Sequence, residues 1–251
     1  IFRIGKNEQS RDALADALKA REGSPGLDTM SLVASEALYR SDWSEGQFSR
    51  ARDSASLAYR LMSRGGEVLA PRALEARSNS AAAGFLAGRD RKDYDAMMDT
   101  HDAIVDAIDA ATDPKRRAAL VTQKFKAEAW ATSVWLYFKS SQQIGSNIPK
   151  SFKERDFKKP KEGLFLQTGT PLASPSCPAK IDADTIDYPT SAIFRGMIGT
   201  VILKYDSDEQ GRITKAEVLA AVPGADFAEE ISENIPEIRL VQTGTIPGCT
   251  M

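Results

Sequence analysis

The sequence predicts an α plus α+β protein: an N-terminal all-α array of helical hairpins, then a small β-β-α(-β) domain. Three observations lead there. Residues 7–143 keep apolar side chains at helical spacing, in segments rich in Ala and Leu. Residues 144–176 lose that spacing and are dominated by Gly, Pro, Ser and Thr, the composition of a loop. Residues 198–234 then read as strand, turn, strand and helix. The implied boundaries are 1–145 for the helical-hairpin domain, 146–176 for a linker and 177–251 for the C-terminal domain.

Taken in order, "DALADALKA" at 12–20 opens the helical region with the strongest helix formers. Leu27–Tyr39 and Glu45–Arg64 follow, the second closed by Gly65-Gly66, and a further helix spans about Val68–Leu86 before Gly88. Tyr94, Met97, Met98, His101, Ile104, Val105 and Ile108 form one apolar stripe. Thr112-Asp113-Pro114 starts a last long helix, with Pro in its first turn, carrying Leu120, Val121, Phe125, Trp130, Val134, Trp135 and Phe138. A weak internal repeat lays the stretch from Tyr39 over the stretch from Phe85, matching Phe48 to Tyr94 and Asp53 to Asp99. Each copy is a helix, a short polar turn and a second helix. The pattern resembles tetratricopeptide-like hairpins, although the offset exceeds that family's usual period of about 34 residues. Stacked hairpins of this kind present a concave surface to partners.

Composition narrows the function classes. With 42% hydrophobic and 27% charged residues the chain has the make-up of a soluble globular protein, and 251 residues are ample for a buried core. A formal net charge of −2 argues against nucleic acid as a partner. No apolar run reaches the roughly 18–20 residues of a membrane span. The first residue is Ile1, which leaves room for an upstream signal peptide or membrane anchor. The lysine-rich "PKSFKERDFKKPKEG" at 149–163 reads as a solvated linker rather than a site for an anionic partner.

The stretch "LKYDSDEQGRITKAEV" sets Asp206, Asp208, Gln210, Gly211 and Glu217 in the order of a calcium loop. Such a loop needs an entering helix. Gly196 and Gly199 would each cost that helix about 1 kcal/mol, and Thr200, Val201 and Ile202 are a β-branched run that favours a strand. The stretch is therefore expected to be a hairpin: a strand at about 198–206, a polar loop with Gly211 at positive φ, and a second strand to about Ala221. The second strand's "ITKAEVLAA" could also be helical. Pro223-Gly224 breaks the chain, and 226–234 reads as a short helix.

The stretch "YPTSAIFRGMIGTVILKYDSDEQGRITKAEVLAAVPGADFAEEISENI" at 188–235 resembles the C-terminal domain of TonB-family energy transducers. The matching positions are Tyr188-Pro189, Ala192, Gly199, the alternating Val201, Leu203 and Tyr205, the turn Asp208–Gly211, then Val218 and Phe227. The resemblance covers about residues 177–251 and implies a periplasmic β-β-α-β domain. It implies docking of an outer-membrane TonB-dependent transporter, whose extended peptide pairs with the edge of the sheet. It also implies force transmission with no catalysed reaction. This chain departs from the family at its end, where "PEIRLVQTGTIPGCTM" replaces the basic-aromatic segment. The last strand is expected to be missing or to lie beyond Met251, although 238–243 could form one.

Cys177 and Cys249, the only cysteines, bracket this small domain. They are a disulfide candidate, which would place the protein in an oxidising compartment; the alternative is two unrelated thiols. No cysteine/histidine cluster for a metal, no P-loop and no nucleophile elbow is present, so no cofactor and no catalytic residue is assigned. His101, the single histidine, reads as a core residue, and an enzyme is not expected. The candidate partner-binding residues are Tyr188, Pro189, Trp130 and Trp135, with core packing the competing reading for the tryptophans. The sequence thus leads to a periplasmic, non-enzymatic interaction module that meets envelope proteins in transport or energy transduction. The alternative is a soluble periplasmic scaffold or assembly protein with no transporter contact.

Overall fold

The computed structural model describes residues 8–24, 26, 28–143, 154–161, 164–165, 171–172, 181–182, 198–241 and 246–250, and only the backbone of 140–143, 164–165, 171–172, 181–182 and 246–250. It divides into two compact units, Ile1–Ala107 and Ile108–Met251. As the sequence predicts, the chain is a helical array followed by a small β-containing region.

The helices of the first unit are α1 (Glu8–Arg21), α2 (Thr29–Ser44), α3 (Phe48–Ser63), α4 (Gly66–Gly88) and α5 (Arg91–Ala110), the last reaching past the unit's boundary. Their ends have identifiable causes. Asp28 caps α2 by accepting the Ser31 N–H at 2.7 Å. After α3, Gly66 takes φ +58°, a conformation that costs glycine little. At the end of α4 it is Arg89, not Gly88, that adopts the left-handed conformation (φ 54°), its N–H bonded to the Phe85 carbonyl at 2.8 Å. The repeat seen in the sequence falls on two turns of the array, α2–α3 and α4–α5, with the α3–α4 turn between them.

Packing in this unit rests on small residues. Ala55 and Ala58 of α3 meet Ala73 and Ala76 of α4, with Leu32, Tyr39 and Met62 around them. Alanine rows let two helix axes approach closely, which sets how tightly the hairpin closes. The hydroxyls of Ser56 and Ser80 meet at 2.7 Å across the same interface. A second cluster, Leu18, Ala34, Leu38, Leu57 and Leu61, joins α1 to α2 and α3.

The second unit contains α6 (Pro114–Gln143), β1 (Leu164–Phe165), β2 (Pro171–Leu172), β3 (Ile181–Asp182), β4 (Thr200–Ser207), β5 (Ile213–Val222), α7 (Ala225–Asn234), β6 (Arg239–Leu240) and β7 (Ile246–Thr250). The hairpin β4–β5 forms where the sequence places it, and the ambiguous "ITKAEVLAA" is strand throughout. Its register shifts twice, between Ile202 and Leu203 and between Asp206 and Ser207. Among the described residues, the three-stranded antiparallel sheet has the order β5-β4-β7. α6 packs on β4 and β5, where Ser133 Oγ donates to Thr200 Oγ1 at 2.7 Å. α7 also packs on this hairpin, and Phe227 occupies the space above Gly199, where a Cβ would stand 2.1 Å from Cε1 of the ring.

Three expectations are corrected. The last strand is neither missing nor formed by 238–243: β7 lies within the chain and pairs with β4, while β6 at 239–240 pairs with β3. The stretch read as a linker at 146–176 contains β1 and β2, which pair antiparallel with each other. The compact units divide inside α5 rather than at 145, because α6 packs on the sheet.

Candidate functional site

Two features of the described residues could engage a partner, one in each unit. In the first unit, a cleft of about 680 Å³ opens between α1 and α3. Both helices send charge into it: Arg11, Asp12 and Lys19 from α1, and Arg50, Asp53 and Arg60 from α3. At one end the charges converge on a buried carboxylate. Asp42 of α2, with its side chain 1% exposed, accepts Arg11 Nε at 2.5 Å and Arg11 Nη2 at 2.7 Å. Ser54 Oγ donates to the same carboxylate at 2.5 Å. This forked pairing ties α1, α2 and α3 together at one point. It also holds the Arg11 guanidinium above its ordinary pKa, against the opposing effect of burial.

Elsewhere α1 is held by more exposed pairs. Arg50 bonds Glu8, and Arg60 Nε bonds Glu22 at 2.5 Å. Arg64 reaches the carbonyls of Arg21, at 2.9 Å, and of Ser24, capping the end of α1. Leu18 is the single buried residue of α1. The cleft is therefore walled by a helix that both these charge pairs and the packing of Leu14, Ala15 and Leu18 keep in position. Chemically it offers alternating donors and acceptors to a peptide carrying both signs of charge.

In the second unit the feature is the edge strand β7. Lys204 lies opposite Thr250, Tyr205 opposite Cys249 and Ser207 opposite Ile246, so among the described residues β4 is central and β7 is an edge strand. An edge strand carries backbone N–H and C=O groups directed away from its one neighbour. β2 approaches β7. On β4, Tyr205 and Ser207 are buried, and their hydroxyls make no hydrogen bond to a described residue. Burial raises the Tyr205 pKa.

The turn between β4 and β5 uses its carboxylate internally. Asp208 Oδ1 accepts the N–H groups of Gln210 and Arg212, each at 2.9 Å, and Oδ2 accepts Arg212 Nε at 2.8 Å. The Arg212 N–H is the main cause of the lowered Asp208 pKa. Gly211 supplies φ +73°. The segment leading into Asp206 is strand, so the calcium-loop order of carboxylates has no entering helix. Among the described residues no group of three or more His, Cys, Asp and Glu side chains is placed to hold a metal ion.

The structure places the other sequence candidates as follows. Trp130 is 4% exposed and packed in the interior, and Trp135 is half-buried. His101 is fully buried on α5, with Nδ1 at 3.4 Å from Asp102 Oδ1. Tyr188, Pro189 and Cys177 lie outside the described residues, as does the Cys249 side chain, and with them the disulfide candidate. The sequence reading missed the α1–α3 cleft. Its only local signal was the spacing of Glu8, Arg11, Leu18 and Glu22, which share one helical face. Among the described residues no helix is long and apolar enough to cross a membrane. No family model, curated protein or solved structure matches this chain.

Proposed function

We propose that this chain is a periplasmic, non-enzymatic interaction module, in which a helical scaffold recognises envelope proteins and a TonB-like C-terminal domain receives an extended peptide. The observation that carries this reading is the sheet order. Among the described residues, β7 closes on the far side of β4 from β5, which leaves β7 at an edge. An edge in that position suits β-augmentation, with backbone hydrogen bonds supplying affinity and alternate side-chain pockets supplying selectivity. Two further features support the same reading: the contact of Phe227 with Gly199, both positions of the resemblance, and the hairpin turn closed by Asp208 and Gly211. The partner is an outer-membrane TonB-dependent transporter, and the role is in transport or energy transduction.

The test is an NMR titration of the chain with an extended peptide from such a transporter. Saturable shifts at the backbone amides of 246 and 248–250 are expected, Pro247 having no N–H. If those amides stay unmoved at millimolar peptide while the chain remains folded, the reading is wrong.

The α1–α3 cleft favours a second reading, a scaffold or assembly protein that works through its first unit and has no transporter contact. Enrichment of envelope proteins by the chain that persists after β7 is removed would select it. Loss of that enrichment would select the first reading.

A further inference from the structure

The face of α2 and α3 beneath α1 is a shaped receptor, and α1 displays the pattern that it accepts. Four positions of the covering segment set its pattern: Glu8 with Arg50, Arg11 with Asp42, Leu18 with the cluster of Leu38, Leu57 and Leu61, and Glu22 with Arg60, while Leu14 and Ala15 pack half-buried against the same cluster. On a helix these positions fall along one stripe. Their order is acid, cation, leucine, acid, and each has a counterpart of matching chemistry on the face.

Three observations indicate that α1 is a weakly committed occupant. It fully buries a single residue, Leu18, with only Leu14 and Ala15 half-buried beside it. Its outer pairs, Glu8–Arg50 and Glu22–Arg60, are between a third and two-thirds exposed, where an ion pair contributes little. The packing also leaves the cleft of about 680 Å³ between α1 and α3. The connection to α2 contains Gly23, and Gly26 at φ +85°, and a Cβ at either would meet nothing within 4 Å. Release of α1 would also break the bonds of Arg64 to the carbonyls of Arg21 and Ser24, and the Arg21–Asp28 pair. Arg11–Asp42 is then the latch, since Asp42 is the one fully buried charge that α1 neutralises.

We propose that α1 is an exchangeable occupant of this face, and that a partner helix bearing the same acid–cation–leucine–acid stripe displaces it. This rests on the reading of the first unit as a partner-binding scaffold and is independent of the sheet. Displacement keeps Asp42 neutralised, because the incoming cation replaces Arg11. It requires the partner to outcompete a tethered helix, whose effective concentration is about millimolar for a short flexible link. Binding to the resting chain is therefore weak, and it strengthens when the native latch is loosened.

The experiment uses the full chain and a fluorescent peptide of residues 8–22, read by anisotropy, with hydrogen exchange following α1 and α2–α4. Weak binding to the unaltered chain is expected, at least tenfold tighter binding to the Arg11→Ala chain, and faster α1 exchange on peptide addition. Glu22→Ala, which loosens only an exposed pair, should tighten binding by a smaller factor, and it guards against misfolding of the Arg11 variant. A peptide carrying Arg11→Ala should not bind. No tightening in either chain variant, with α2–α4 still protected, would overturn the proposal. So would a concentration-dependent dimer that the peptide does not dissociate, which would make the face a site for a second copy of the chain.

Discussion

In the first unit α1 carries three charge pairs, Arg11–Asp42, Glu8–Arg50 and Glu22–Arg60, over one buried leucine flanked by half-buried Leu14 and Ala15. In the second unit α7 is attached by shape, through Phe227 over a glycine that no other residue could replace without moving the ring. Both are short helices, of 14 and 10 residues. Yet the physics predicts different responses. Ion pairs at a surface weaken gradually with salt and can exchange partners. A close apolar contact is insensitive to salt and fails as a packing defect.

The largest expected effect lies on the shape side. Phe227→Ala should cost about 3–4 kcal/mol of stability in the second unit, through lost burial and a residual cavity. Urea unfolding followed by β4–β5 amide exchange measures it. A change below about 0.5 kcal/mol, the level of ordinary surface substitutions, would show that α7 does not close the sheet. Next is the latch. Asp42→Ala should cost about 3 kcal/mol by leaving Arg11 without its buried partner. The paired replacement Arg11→Met with Asp42→Leu should recover most of that, and equal losses in the two proteins would refute the ion-pair account.

A smaller effect separates the units directly. Raising salt from low to near-molar should accelerate exchange in α1 severalfold while the β4–β5 amides keep their protection. Uniform acceleration in both would erase the contrast.

Acid gives the last and smallest effects, of opposite sign at two sites. The Asp208 carboxyl is held below the usual range by the Arg212 N–H first, so the hairpin turn is stabilised above the ordinary carboxylate pKa. That contribution is lost as pH falls through the lowered value. Asp93, at the α4–α5 turn, is raised by burial and then by Asp90. Its folded form holds a proton more readily, so this turn gains stability as pH falls toward the ordinary value and loses it as pH rises through the raised one. Asp93→Asn should flatten the second trend and leave the first, with site-resolved exchange from neutral to acid pH as the readout.

Local signals carried the helices and the hairpin. Thr112-Asp113-Pro114 marks the start of α6 because capping and proline geometry are encoded within a few residues. The apolar stripe from Tyr94 to Ile108 marks α5 because helical burial is periodic. Strand β7, "IPGCT", was not legible, since Pro and Gly suppress strand propensity and only its pairing with distant β4 makes it a strand. The cleft was hidden for a related reason. Its walls come from α1 and α3, and Asp42 acquires its role only when Arg11, far off in sequence, folds over it. The placement of α6 on the sheet was obscured by apolar residues spread around the helix, including Leu120, Val121, Phe125, Trp130 and Val134, which mark burial without naming a neighbour.

The position of β4 between β5 and β7 also sets an order of assembly. The β4–β5 ladder joins neighbours in the chain, across a tight turn, and hairpins of that kind form in about 1–10 μs. Pairing Ser207 with Ile246 must first close a long loop containing α7 and β6, so it carries a larger entropic cost and comes later. Until then one flank of β4 is an open template. During that interval β4 can accept any extended segment that reaches it, so a foreign strand and the chain's own β7 compete in time as well as in affinity.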